Sequence, residues 1–315
     1  MAANDEARKE FLRDELGAYL TELGKRDSRV VVVNADLSKT SRNTEFVRQY
    51  PDRAFNVGFA EQNMVSFAAG LAHEGWMPFA YTMAPFMSMR ACEQCRTDVA
   101  YANLPVRLIG TYAGVSGGIS GATHWGMEDC AIMTTMPDMT VLEPSDVVQG
   151  KKMMDALLQL QGPAYMRISV EPTSPIYDED CDFEIGKASI AYPGEDGAFI
   201  CSGITVKYAI LAAKSIKERT GKSIRVVDMH TVKPIDRQAV LDAAATGRIV
   251  VAQDHLLHGG LASLVSEIIA EEGCSVCYCS RGIPDRFETM AHAPFLYHKF
   301  LLDAEGLENS MLQLF

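Results

Sequence analysis

Short β-branched runs alternate with longer stretches of helical periodicity along this 315-residue chain. Strand-like runs are RVVVVNA (29 to 35), AFNVG (54 to 58), MPFAY (77 to 81), VRLIGT (106 to 111), MTVLEP (139 to 144) and AYMRIS (164 to 169). Helical patterns fall at about 5 to 24, 61 to 74, 84 to 102 and 145 to 160, the last with Ser145 ahead of Asp146 as a candidate cap. Alternation of this kind predicts an α/β fold built on parallel sheets that are covered by helices on both faces. The pattern breaks in EPTSPIYDEDCDFEIG, where prolines and acids predict a linker over 173 to 186. It resumes with AFICSG (198 to 203), IRVVDMH (224 to 230), RIVVAQD (248 to 254) and VCYCS (276 to 280), separated by helical stretches near 205 to 219, 236 to 245 and 260 to 272. Two α/β domains are therefore expected, over 1 to 172 and 187 to 315, with no fixed-period repeat and no low-complexity tract.

Composition narrows the function classes. A hydrophobic content of 48% is ample for two buried cores, while a net charge of -12 argues against a broad nucleic-acid or anionic-membrane surface, since both need basic patches. The start, MAANDEARKEFLRDELGAYL, is charged and amphipathic with no apolar signal-like core, and no later run is apolar enough to span a bilayer, so a cytoplasmic location is expected. Eight cysteines include the pairs Cys92/Cys95 and Cys277/Cys279, but neither has the matched histidines of a zinc site, and no metal is assigned to this chain.

Ligands in open parallel sheets gather at the carboxyl ends of strands, which directs attention to the loops there. Glu61 follows one strand-like run and enters the small, apolar segment GFAEQNMVSFAAG. Another run leads into YAGVSGGISGATHWG (112 to 126), which carries His124. That loop has no lysine and no GxxxxGK[ST] pattern, so it is not a nucleoside-triphosphate cradle, and it lacks the strand-GxGxxG-helix context of a dinucleotide site. By itself an acid at Glu61 is also what the first turn of any helix favours.

The blocks PDRAFNVGFAEQNMVSFAAGLA, ANLPVRLIGTYAGVSGGISGATHWGMED, MPDMTVLEPSD, GPAYMRI, VVDMHTVKPID and HLLHGGLASLVSEI resemble, in that order, the C-terminal half of transketolase, from about Arg8 to about Leu307. The resemblance implies a thiamine-diphosphate pyrimidine-binding domain followed by a transketolase C-terminal domain. The pyrophosphate-binding domain is not covered: its GDG-to-Asn metal motif has only Gly194-Glu-Asp-Gly197 as a partial counterpart. The implied protein is one subunit of a split transketolase, moving a two-carbon ketol unit from a ketose or its phosphate to an aldose. Its partner would be an N-terminal subunit, with two copies of each, binding thiamine diphosphate and Mg2+ or Ca2+ mainly through that partner.

By the same resemblance Glu61 is the acid that activates the cofactor's aminopyrimidine, Phe86 stacks on that ring, and Met83 and Met89 complete the wall. His124 handles protons on the substrate, with Trp125 where glutamine is usual. Arg8 and Thr40 match phosphate-binding positions. Tyr112, Ser120 and Val170 stand where the family commonly has histidine, aspartate and arginine in contact with substrate, so a non-standard sugar is expected. His255, His258 and the HGGL turn are expected at subunit contacts. Alternatives with the same domain pair are a deoxyxylulose-phosphate-synthase-like subunit and a 2-oxo-acid dehydrogenase beta-like subunit. A non-catalytic regulatory relic is a third.

Overall fold

The computed structural model describes residues 9 to 315, which leaves Arg8 outside the described residues. Helix α1 (Leu12–Arg26) buries Leu12, Leu16, Leu20 and Leu23, spaced three and four apart on one stripe. It is followed by β1 (Val30–Asn34), α2 (Thr44–Gln49), β2 (Ala54–Asn56), α3 (Glu61–His73), β3 (Met77–Met83), α4 (Cys92–Gln94), β4 (Arg107–Thr111), α5 (Asp129–Thr134), β5 (Thr140–Leu142), α6 (Val147–Gln159) and β6 (Ala164–Ile168). The second unit comprises β7 (Ser189–Tyr192), β8 (Gly197–Cys201), α7 (Thr205–Thr220), β9 (Ile224–Asp228), β10 (Thr231–Lys233), α8 (Arg237–Ala244), β11 (Arg248–Leu256), α9 (Leu261–Glu271), β12 (Cys277–Ile283), α10 (Ala293–Lys299) and α11 (Ala304–Leu312).

The first sheet has the order β10-β5-β6-β4-β3-β1-β2, and the second β12-β11-β8-β9-β7. Every pairing is parallel except β10 on β5 and β7 on β9. The valine run of β1 shows why both faces must be covered. Val30 and Val32 join the cluster under α1 and α6, whereas Val33 joins Met64 and Ala68 of α3 on the opposite face.

Three expectations change. The helix expected over 84 to 102 is not one α-helix: Phe86–Arg90 and Cys95–Ala100 are π-helical, on either side of α4. Side chains engage its carbonyls, Ser88 Oγ donating to Ala84 O at 2.9 Å and Thr97 Oγ1 to Glu93 O at 2.8 Å, and such π turns are frequent at functional sites. The cap of α6 is Asp146, whose carboxylate accepts from Gln149 N at 2.8 Å; Ser145 Oγ instead donates to Asp228 at 2.6 Å. Finally, His255 cannot serve a subunit contact: it is fully buried, with Nε2 accepting from Ala131 N at 3.2 Å, while His258 is exposed. Beyond these three, the chain after β9 crosses back, and β10 adds to the edge of the first sheet.

Candidate active site

Glu61 is the first residue of α3, and Ala60 before it offers no side-chain cap. The carboxylate therefore lies at the positive end of the helix macrodipole. Its side chain has no exposure, and Arg90 Nη1 donates to both of its oxygens at 2.8 Å, while Thr82 Oγ1 from β3 is 3.4 Å away. The Arg90 guanidinium also lies over the Phe86 ring, 4.1 Å from its centroid. One π-helical turn thus presents an aromatic face and a cation together, because Phe86 and Arg90 are four residues apart.

His124 approaches from the glycine-rich loop after β4. Its ring meets Phe86 edge-on at 5.5 Å, and Nδ1 lies 2.9 Å from Thr123 Oγ1. The loop makes two 3₁₀ turns, Gly118–Ser120 and Ala122–His124, joined by Gly121 at φ 79°, a left-handed value that favours glycine. Trp125 is buried, and its Nε1 donates to Gly118 O at 3.0 Å, so its indole pins the loop from within. Beside these groups opens a cavity of about 640 Å³ whose walls include Phe86, Met89, Arg90, Trp125, Glu128 and Phe287.

The structure thus draws Glu61, Phe86 and His124 into one cluster, with Arg90 bridging the first two. Met89 is half-exposed on the cavity wall, whereas Met83 is buried at the end of β3 and does not line the cavity. Thr40, in the turn after β1, is half-buried, and it too lies outside the cavity lining. Tyr112, at φ 63°, and the exposed Ser120 belong to the loop but not to the cavity lining. Val170 is half-buried, with its backbone N–H donating to Ser116 Oγ at 3.3 Å. Sequence reasoning missed Arg90, Glu128 and Phe287. Arg90 left one signal, a cation four residues after the key aromatic in an otherwise apolar segment. Glu128 carries a carboxyl that burial pushes above its ordinary value. Among the described residues no group of three or more His, Cys, Asp or Glu could hold a metal ion, and no helix is long and apolar enough to cross a membrane.

Comparison with known proteins fits this geometry. The chain matches the sequence model of the transketolase pyrimidine-binding domain over residues 12–173 and that of the transketolase C-terminal domain over 186–307. It is 38% identical to the 6-deoxy-6-sulfo-D-fructose transketolase subunit SqwH of Clostridium sp. (strain MSTE9), covering 94% of this chain and 92% of that one. It is 33% identical to one of the subunits of the apulose-4-phosphate transketolase of Phocaeicola vulgatus, over 93% and 94% of the two chains. A solved structure described as a split gene transketolase, inactive beta4 tetramer, superposes with a TM-score of 0.86 at 34% identity, covering 96% of this chain and 97% of that one. With both domains present in order and relatives similar along nearly their whole length, the chain belongs to the transketolase family.

Proposed function

We propose that this chain is the C-terminal subunit of a two-subunit transketolase-type enzyme that moves a two-carbon ketol unit from a ketose or ketose phosphate to an aldose. The observation that carries the reading is the fully buried Glu61 carboxylate at a helix start, joined through Arg90 to the Phe86 face and through that ring to His124. Enzymes of the family depend on thiamine diphosphate. The residues fit its aminopyrimidine, since a shielded acid can share a proton with a ring nitrogen and an aromatic face suits a flat heterocycle. When bound, the cofactor supplies the electron sink that lets a C–C bond beside a carbonyl break.

The chain's own side chains do the rest. Glu61 holds a proton at the pyrimidine nitrogen, Phe86 orients the ring with Met89 as softer packing, and His124 moves or holds protons at substrate oxygens. The pyrophosphate and its Mg2+ or Ca2+ fall to an N-terminal partner, with two copies of each chain. Supporting this, two relatives that match almost end to end are themselves called subunits. Thr40, together with Arg8, serves a substrate phosphate. Tyr112, Ser120 and Val170 stand in place of the family's usual substrate contacts, which favours a sugar other than the usual pentose-phosphate pair. The relatives named for a sulfosugar and for apulose 4-phosphate support that shift.

Calorimetry on the purified chain with thiamine diphosphate and Mg2+ is expected to show little binding, and tight binding without a partner would refute the split reading. In the reconstituted complex, Glu61→Gln keeps the shape but cannot share the proton, so turnover falls by ~10²- to 10⁴-fold. Exchange of the cofactor's thiazolium C–H is the direct readout. An unaltered rate in the variant removes Glu61 from the mechanism. A panel of ketoses and aldoses tests the sugar, and a best kcat/KM for xylulose 5-phosphate with ribose 5-phosphate overturns the shifted specificity.

A further inference from the structure

The loop that carries His124 is built on the first unit but lies in the core of the second. Val115, Trp125 and Met127 pack in one buried cluster with Phe199, Cys201, Leu296 and Tyr297. Bonded to two members of this cluster is Asp254, near the end of β11. Its Oδ1 accepts from Val115 N at 3.0 Å and its Oδ2 from Tyr297 Oη, on α10, at 2.9 Å. The carboxyl is fully buried and sits so close under Gly114 (φ 58°) that an added Cβ would lie 2.0 to 2.2 Å from it. Further along, a Cβ at Gly118 would come within 3.1 Å of Ala291 O and Ala293 N, so the second unit also backs the first 3₁₀ turn. The Asp254 backbone carbonyl meanwhile accepts from Arg167 Nη2 at 3.0 Å, which fixes the strand end to the first sheet.

We infer that Asp254 is the positioning residue for the substrate side of the active site: through Val115 it sets the loop that presents His124, Tyr112 and Ser120. The C-terminal domain thereby takes part in substrate handling without touching cofactor or substrate. The inference rests on the proposed function for what the loop does, and on geometry alone for what holds the loop.

In the reconstituted complex, Asp254→Ala is expected to lower kcat/KM for the ketose donor by ~10- to 100-fold, since displacing a catalytic group by about 1 Å has that scale of effect, while thiamine diphosphate affinity stays unchanged. Asp254→Asn is expected to recover most of the loss, because its amide oxygen still accepts from Val115 N and its nitrogen can donate to Tyr297 Oη. An activity-independent measurement runs beside this. In the purified chain, in a Trp76→Phe background, Trp125 is the only tryptophan left, and its acrylamide quenching should rise with Asp254→Ala and stay low with Asp254→Asn. If cofactor affinity falls in step with kcat/KM, or if Trp125 quenching is unchanged in Asp254→Ala, the positioning role is overturned. A wild-type complex with no ketol transfer would sink the proposed function alone, because the Trp125 measurement still decides whether Asp254 holds the loop.

Discussion

Arg90 does two things with one planar group, neutralising a buried carboxylate and covering the aromatic face beside it. Its side chain is 46% exposed, so the pair is half solvated and not a sealed ion pair. Glu61 is different: without Arg90 its oxygens keep only the long contact to Thr82. Arg90→Met should therefore destabilise the free chain by about 1 to 3 kcal/mol, the usual cost of stranding a buried polar group. Glu61→Gln combined with Arg90→Met should recover much of that, since the stranded charge is gone. Urea midpoints of the two single variants and the double variant check it, and strictly additive losses would show that the two side chains are uncoupled.

At the scale of elements, helix starts and a stray strand join the two units. Asp146 caps α6 through Gln149 N and, with its other oxygen, accepts from Ile176 N and Tyr177 N at 2.8 Å each. It fixes the helix and the connecting segment together. Asp146→Ala should cost more than the ~0.5 to 2 kcal/mol of an ordinary cap. Asp146→Asn should fall in between, which a urea titration of the three proteins will show. Beside it, Asp228 at the end of β9 accepts from Ser145, Gln149 and Tyr177 on a single oxygen while Oδ1 has no partner. Burial pushes its carboxyl up to about 7. A raised acid binds its proton more tightly folded than unfolded, so its contribution is full below the ordinary value near 4 and is lost as the pH rises through about 7. Buried His230, depressed to about 4, works the other way, so the clean measurement is a difference. Wild type should lose stability relative to Asp228→Asn, by on the order of a few kcal/mol, as the pH rises from about 5 to about 8. A difference independent of pH would mean that Asp228 does not titrate there.

For the whole molecule, the decisive contact is a buried polar cluster on which both units converge. Arg167 of β6 donates to Asp129 and Glu143 at 2.8 Å, and to the carbonyls of Gly126 and Asp254 at 3.0 Å. Glu143 then accepts from Ser202 at 2.6 Å and Gln253 at 2.9 Å, both on the second unit. Such a cluster is costly to bury and costlier to break, because each member left alone is an uncompensated charge or dipole. Together with β10 on the first sheet, it makes the two units a single support for the loop that carries His124.

The local pattern was enough to determine the α/β class, most central strands and the longer helices, because strands buried on both faces leave apolar runs and amphipathic helices leave a period in one-dimensional text. Short pieces such as α2 and α5, six residues each, and the three-residue β10 leave too little period to detect. The site divided in the same way. Glu61 and His124 were legible because each sits in a block of resemblance, and Phe86 because it matches an aromatic position of the same family. Arg90, Glu128 and Asp254 were not, since a charged residue reads the same in one-dimensional text whether it meets solvent or a buried partner. Only the tertiary structure decided that Arg90 turns inward onto Glu61, that Trp125 pins the loop from within, and that a carboxylate 139 residues away from Val115 holds that loop in place. The physical reason is that desolvation and hydrogen-bond partnership belong to the packed state, and the partners of Glu61 and Val115 lie too far apart along the chain for any local pattern to record them.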